Sequence, residues 1–106
     1  MTQPKPRFVL IPPRALTEVA RVMAVGAVQY EEADGQDKWR ARTQRELLDS
    51  AMRHLWAHIA GEKIDTGTGS PHLACAAARI LMACEVDLPP TDKPPKKRIT
   101  RRSATT

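Results

Sequence analysis

Aromatic residues are nearly absent from this 106-residue chain: two tryptophans, one tyrosine and one phenylalanine make up 4% of it. Alanine, leucine and methionine supply most of the apolar side chains instead, which favours helices over sheets. Cysteine is scarce as well. Cys75 and Cys84 lie nine residues apart in one apolar segment, where a helix would hold their Cα atoms well beyond disulfide reach. Both are expected to be free, buried thiols, and without a C-x-x-C spacing they do not form the pattern of a thiolate zinc site. Long apolar runs are missing: no stretch reaches about 18 apolar residues, and the opening MTQPKPRF has no apolar segment of the kind that directs export. A cytoplasmic protein without a membrane partner is therefore expected. The length leaves room for one domain with a modest core, so a second copy would be an ordinary way to complete it.

The net charge of +5 is unevenly placed. Residues 1–87 hold eleven basic and eleven acidic residues, whereas residues 88–106 hold six basic residues against Asp92 alone. That last segment, LPPTDKPPKKRITRRSATT, combines four prolines with a basic run and almost nothing apolar, so it cannot offset the entropy of folding. The expected organisation is a folded domain over residues 1–87 and a disordered basic tail over 88–106. Weak nucleic-acid contact through the tail needs only charge, and a solvated tail without a partner is the alternative.

Pro12 and Pro13 suit a helix start, because proline has no amide to lose there. The apolar patch Phe8 to Ile11 ahead of them is predicted to pack across the helices. From Ala15 the positions Leu16, Val19, Ala20, Met23 and Ala27 follow helical spacing to about Tyr30. Residues 31–42 mix turn formers and charges around Trp39 and are predicted to form a loop. Thr43 and Glu46 make a T-x-x-E capping box that opens a second helix. Leu48, Met52, Leu55, Trp56 and Ile59 form one apolar face of it, and Gly61 offers a left-handed stop. The turn EKIDTGTGS follows, with Gly67 and Gly69 permitting positive φ. Ser70 and Pro71 then cap a third helix to about Glu85. HLACAAARILMAC is apolar nearly all round, so this helix belongs at the centre of the assembly or in a subunit interface.

His54 and His58 project from the second helix on the side opposite its apolar stripe. Beyond Gly61 come Glu62 and Asp65, and then His72 in the first turn of the third helix. Histidines and carboxylates from both sides of one loop can thus converge. Such a set suits a divalent cation, the carboxylates favouring Mg²⁺ or Mn²⁺ and the imidazoles tolerated better by Mn²⁺. Arg79, two turns after His72 on the same face, can meet phosphate. The same residues also fit a plainer pattern, with surface or core histidines and an acidic pair that caps a turn.

Four segments carry a resemblance to a known family: RFVLIPPRAL at 7–16, G-A-x-x-Y at Gly26 to Tyr30, RHLWAHIAGEKID at 53–65, and G-x-x-H-L-A at Gly69 to Ala74. Over roughly residues 7–87 the chain resembles the phage and bacterial dATP/dGTP diphosphohydrolase domain, a member of the MazG-like all-α nucleoside triphosphate pyrophosphohydrolases. The resemblance implies an all-α, MazG-like bundle of three main helices, completed by dimerisation. It also implies Mg²⁺- or Mn²⁺-assisted hydrolysis of a purine deoxynucleoside triphosphate to monophosphate and pyrophosphate, in the host cytoplasm if the protein is phage-encoded. On this basis Glu62, Asp65 and His54 are the catalytic candidates. Arg53, His72, Arg79, Tyr30 and Trp39 are candidates for the substrate, and Glu62, Asp65, Glu18 and Asp49 for the metal. Val25, Gln29, Lys38, Cys75 and Arg79 depart from the family pattern, with histidine often at the Cys75 position and asparagine at that of Arg79. A nucleic-acid-binding module and a catalytically silent interaction protein are the rival readings; the neutral folded part, which offers no basic helix for a groove, argues against the first.

Overall fold

A computed structural model describes residues 3–29 and 38–89. Among these the chain is all-α, as expected: helix α1 spans Pro13–Gln29, α2 Gln44–Ile59 and α3 His72–Asp87, with short 3₁₀ turns at Phe8–Leu10 and Lys38–Ala41. The only strand-like pairing described is a single antiparallel bridge between Ile64 and Pro71. Tyr30 and all but the first two residues of the expected tail lie outside the described residues.

Helix α3 is central because it is rich in alanine. Ala74, Ala76, Ala78 and Ala83 are buried on it, and their small side chains let two other helices approach closely. Val19 and Val22 of α1 pack on Ala74, Cys75 and Ala78. Leu47 of α2, with none of its surface exposed, packs on Met82 and Ala83. Met23 touches both clusters and joins them. Gln44 adds a tie, its side-chain amide donating to the Ala83 carbonyl at 3.1 Å.

The helix starts and stops follow local chemistry, with exceptions. The predicted capping box forms: the Glu46 amide donates to Thr43 Oγ1, and the Thr43 amide to Glu46 Oε1. Gly61 stops α2 at φ 107°, with its own amide bonded to the His58 carbonyl and that of Glu62 to the Ala57 carbonyl. This double bond pattern is a Schellman motif. Helix α3 corrects the expected cap. Its N-cap is Pro71, without a side-chain bond, while the His72 amide is satisfied by the Lys63 carbonyl across the bridged loop. Of the two loop glycines only Gly69 uses a positive φ.

Further corrections concern exposure. Phe8, Val9, Leu10 and Ile11 do not pack across the helices but stand exposed, because the prolines that follow carry the chain directly into α1. The predicted loop 31–42 contains the 3₁₀ turn Lys38–Ala41, which sets Trp39 against the Leu47–Met82–Ala83 cluster. Cys75 and Cys84 are both free, yet only Cys75 is buried, since nine residues of helix carry Cys84 round to the exposed side. The apolar stripe of α2 is present but turns away from α3: Met52 is 66% and Trp56 69% exposed.

Candidate metal centre

The face that α2 turns towards α3 carries Leu47, Ser50 and Ala51, all buried, and then half-buried His54. On the opposing helix His72 is 4% exposed. The two imidazoles meet, Nδ1 to Nδ1, at 2.9 Å, with ring centroids 5.1 Å apart and planes tilted by 45°. The second nitrogen of His72, Nε2, lies 2.8 Å from Glu62 Oε2. An ionised carboxylate only accepts, so His72 Nε2 is the donor and, in a neutral ring, its Nδ1 accepts from His54. Both nitrogens of this buried ring are thereby satisfied.

Asp65 arrives from the loop that the Schellman motif begins. Its amide donates to the Ser70 carbonyl at 2.8 Å and its carbonyl accepts from the Gly69 amide at 2.7 Å, fixing the backbone. Its carboxylate accepts from the Thr68 hydroxyl at 2.7 Å and the Thr68 amide at 3.1 Å. His54, Asp65 and His72 each offer a ligand atom, all within 4.8 Å of one another. Among the described residues they form the one such group of three or more histidine, cysteine or acidic side chains.

Burial and hydrogen bonding shift the titration of two of these groups. Burial holds the His54 imidazole below its ordinary pKa, with Asp65 opposing and His72 reinforcing the effect, so the ring is neutral and keeps a lone pair. The Thr68 hydrogen bond holds the Asp65 carboxyl below the usual carboxylate range, outweighing partial burial. Burial pushes the Cys75 thiol up, which keeps it protonated at neutral pH.

The other sequence candidates fall in different places. Arg79 reaches across to α2, its Nε donating to Ser50 Oγ at 3.2 Å, and its charge is felt at both His54 and Cys75. Arg53 pairs with Asp49 one turn away on the exposed side of α2. Glu18 pairs with Arg21 at 3.3 Å on α1. Trp39 belongs to the core near Met82, ten residues along α3 from His72 or about 15 Å of helix. Glu62, Asp65, His54 and His72 are therefore brought together, with Arg79 near them; Glu18, Asp49, Arg53 and Trp39 are not. Sequence reasoning missed Thr68 and Ser50. The D-x-x-T spacing from Asp65 to Thr68 is a local signal for the first, but nothing local links Ser50 to Arg79, 29 residues on.

A divalent cation suits this donor set. No helix among the described residues is long and apolar enough to cross a membrane.

Comparison with known proteins gives concordant results. The chain is 35% identical over 79 residues to a dATP/dGTP diphosphohydrolase of Salmonella phage PMBT28, a match that covers 74% of this chain and 26% of the relative. The chain thus spans about a quarter of the length of the curated relative it matches. No solved structure matches it. The family described as dATP/dGTP diphosphohydrolase, N-terminal, matches residues 1–94, and the chain belongs to that family.

Proposed function

We propose that the chain carries the catalytic centre of a metal-dependent nucleotide pyrophosphohydrolase that converts a dATP- or dGTP-type triphosphate to its monophosphate and pyrophosphate. The observation that supports this reading is the meeting of His54, Asp65 and His72 beside Arg79 in a chain of this family. In the reaction, water adds across the anhydride between the α and β phosphates, and the P–O bond to the pyrophosphate leaving group breaks. A bound dication would polarise that anhydride and offset its charge. Asp65 presents a pre-ordered carboxylate, because Thr68 has already fixed its rotamer. His54 and His72 present imidazole nitrogens from two facing helices, a geometry that a rigid α2–α3 contact maintains. Arg79 supplies a planar, permanently charged fork for phosphate oxygens.

The outward stripe of α2 supports a homodimer within the same reading. Leu48, Met52, Leu55, Trp56 and Ile59 stay exposed along roughly 17 Å of helix, and a patch of this kind marks a protein contact. The Asp49–Arg53 pair on the same exposed side is self-complementary in charge, as a two-fold contact requires.

The test is a panel of deoxy- and ribonucleoside triphosphates incubated with the chain and each of several dications, with pyrophosphate and phosphate measured separately. Release of pyrophosphate from dATP or dGTP is expected. Salt-sensitive DNA binding without any turnover would instead favour the nucleic-acid reading.

A further inference from the structure

We propose that the His54–Asp65–His72 centre holds a single transition-metal dication of the zinc class through two imidazole nitrogens and one carboxylate oxygen, that it refuses Mg²⁺, and that Glu62 is a positioning residue behind His72 and not a ligand. The proposal rests on the same centre as the hydrolase reading but goes beyond it, to the chemistry of the ion and the division of labour between the two loop carboxylates.

The donor set argues first. Imidazole nitrogen is a ligand for zinc, cobalt, nickel and iron, whereas Mg²⁺ dehydrates reluctantly and is bound through carboxylate and phosphate oxygens. Two of the three converging donors here are imidazoles. Asp65 is the one acidic residue in the group. Three protein ligands leave an open coordination position, as in catalytic sites and unlike closed structural ones.

The second argument is the hydrogen bond from His72 Nε2 to Glu62 Oε2, at 2.8 Å. It holds the proton on Nε2 and leaves the Nδ1 lone pair aimed at the point where His54 Nδ1 stands, 2.9 Å away. A ligating histidine whose other nitrogen donates to a carboxylate is the usual outer-shell arrangement of metal sites. The histidine–histidine contact thus places one proton between two nitrogens that would both face the ion. Since ligand nitrogens around a tetrahedral ion at about 2.0–2.1 Å stand roughly 3.3 Å apart, the rings need to part by only a few tenths of an ångström. Glu62 itself is set by the Schellman motif at the end of α2, and its side chain is more than half exposed, as suits a group on the rim.

Cys75 is the competing donor. It is buried one helical turn from His72, yet its sulfur falls outside the grouped ligand atoms.

Cobalt tests this directly. The chain, stripped with a chelator, is titrated with Co²⁺ alone and with Co²⁺ in a hundredfold excess of Mg²⁺, and followed by visible absorption and by metal analysis after dialysis. One ion per chain is expected, with the strong visible bands of low-coordinate cobalt, unaffected by Mg²⁺ and displaced by Zn²⁺. Asp65→Asn and His54→Gln should each abolish the bands; circular dichroism checks that both stay helical, and His54→Gln, which leaves the loop untouched, decides if Asp65→Asn unfolds. Glu62→Gln should keep the band positions while weakening affinity 10- to 100-fold. Displacement of Co²⁺ by Mg²⁺, a sulfur-to-cobalt charge-transfer band, or loss of the spectrum in Glu62→Gln would each overturn the proposal. Cobalt binding without nucleotide turnover would sink the hydrolase reading alone, and turnover with Mg²⁺ but no cobalt bound would sink this proposal alone.

Discussion

The two faces of α2 are inverted relative to their composition. The side packed on α3 carries one large apolar residue, Leu47, followed by Ser50, Ala51 and His54; the side turned outward carries Leu48, Met52, Leu55, Trp56 and Ile59. In a lone three-helix chain the richer stripe would be expected inside. The helix thus turns a polar face to α3 and leaves an apolar one exposed, the face on which the proposed dimer rests. The buried polar face is tolerated because its groups find partners: His54 on His72, and Ser50 on Arg79.

Several measurements would break or sharpen this contrast. The largest effect is expected on the inner face, where His54→Gln should lower pyrophosphate release at least 100-fold through loss of a ligand, while Met52→Gln on the outer face should leave it within about threefold. Comparable losses in both variants would show that the two faces are not functionally distinct. Leu47→Ala should destabilise the fold by about 2–5 kcal/mol in denaturant unfolding, as a fully buried leucine leaves a cavity. Met52→Ala should cost less than about 0.5 kcal/mol in dilute solution and more as protein concentration rises. Equal, concentration-independent costs would remove the case for an outer contact.

A smaller effect is expected from Trp56→Glu. It should shift the chain from dimer to monomer in light scattering at micromolar concentration while cobalt binding persists; a wild-type chain already monomeric there would contradict the proposed dimer. The smallest concerns acid and the metal-free protein. His54 has a folded pKa below its ordinary 6.5, so the unfolded chain takes up the proton first and stability begins to fall as pH drops below about 6.5. Asp65, held below its ordinary 3.8, contributes stability that is present above that value and is lost as pH falls through the folded pKa. Melting temperature should therefore decline in two stages, and a flat profile from pH 7 to 5 would contradict the burial of His54.

What could be read from the sequence was set by nearest neighbours along the chain. The capping box at Thr43, the stop at Gly61 and the three helices follow from hydrogen bonds and φ preferences within a few residues. The meeting of Glu62, Asp65, His54 and His72 was legible because all four lie at or within the one connection between α2 and α3, so its return brings them near one another. Tertiary structure alone decided the rest. Which face of α2 meets α3 depends on how closely α3's alanines allow it to approach, and no periodicity within α2 encodes that distance. Which nitrogen of His72 faces His54 and which faces Glu62 is likewise fixed only when the His72 ring is enclosed between packed helices.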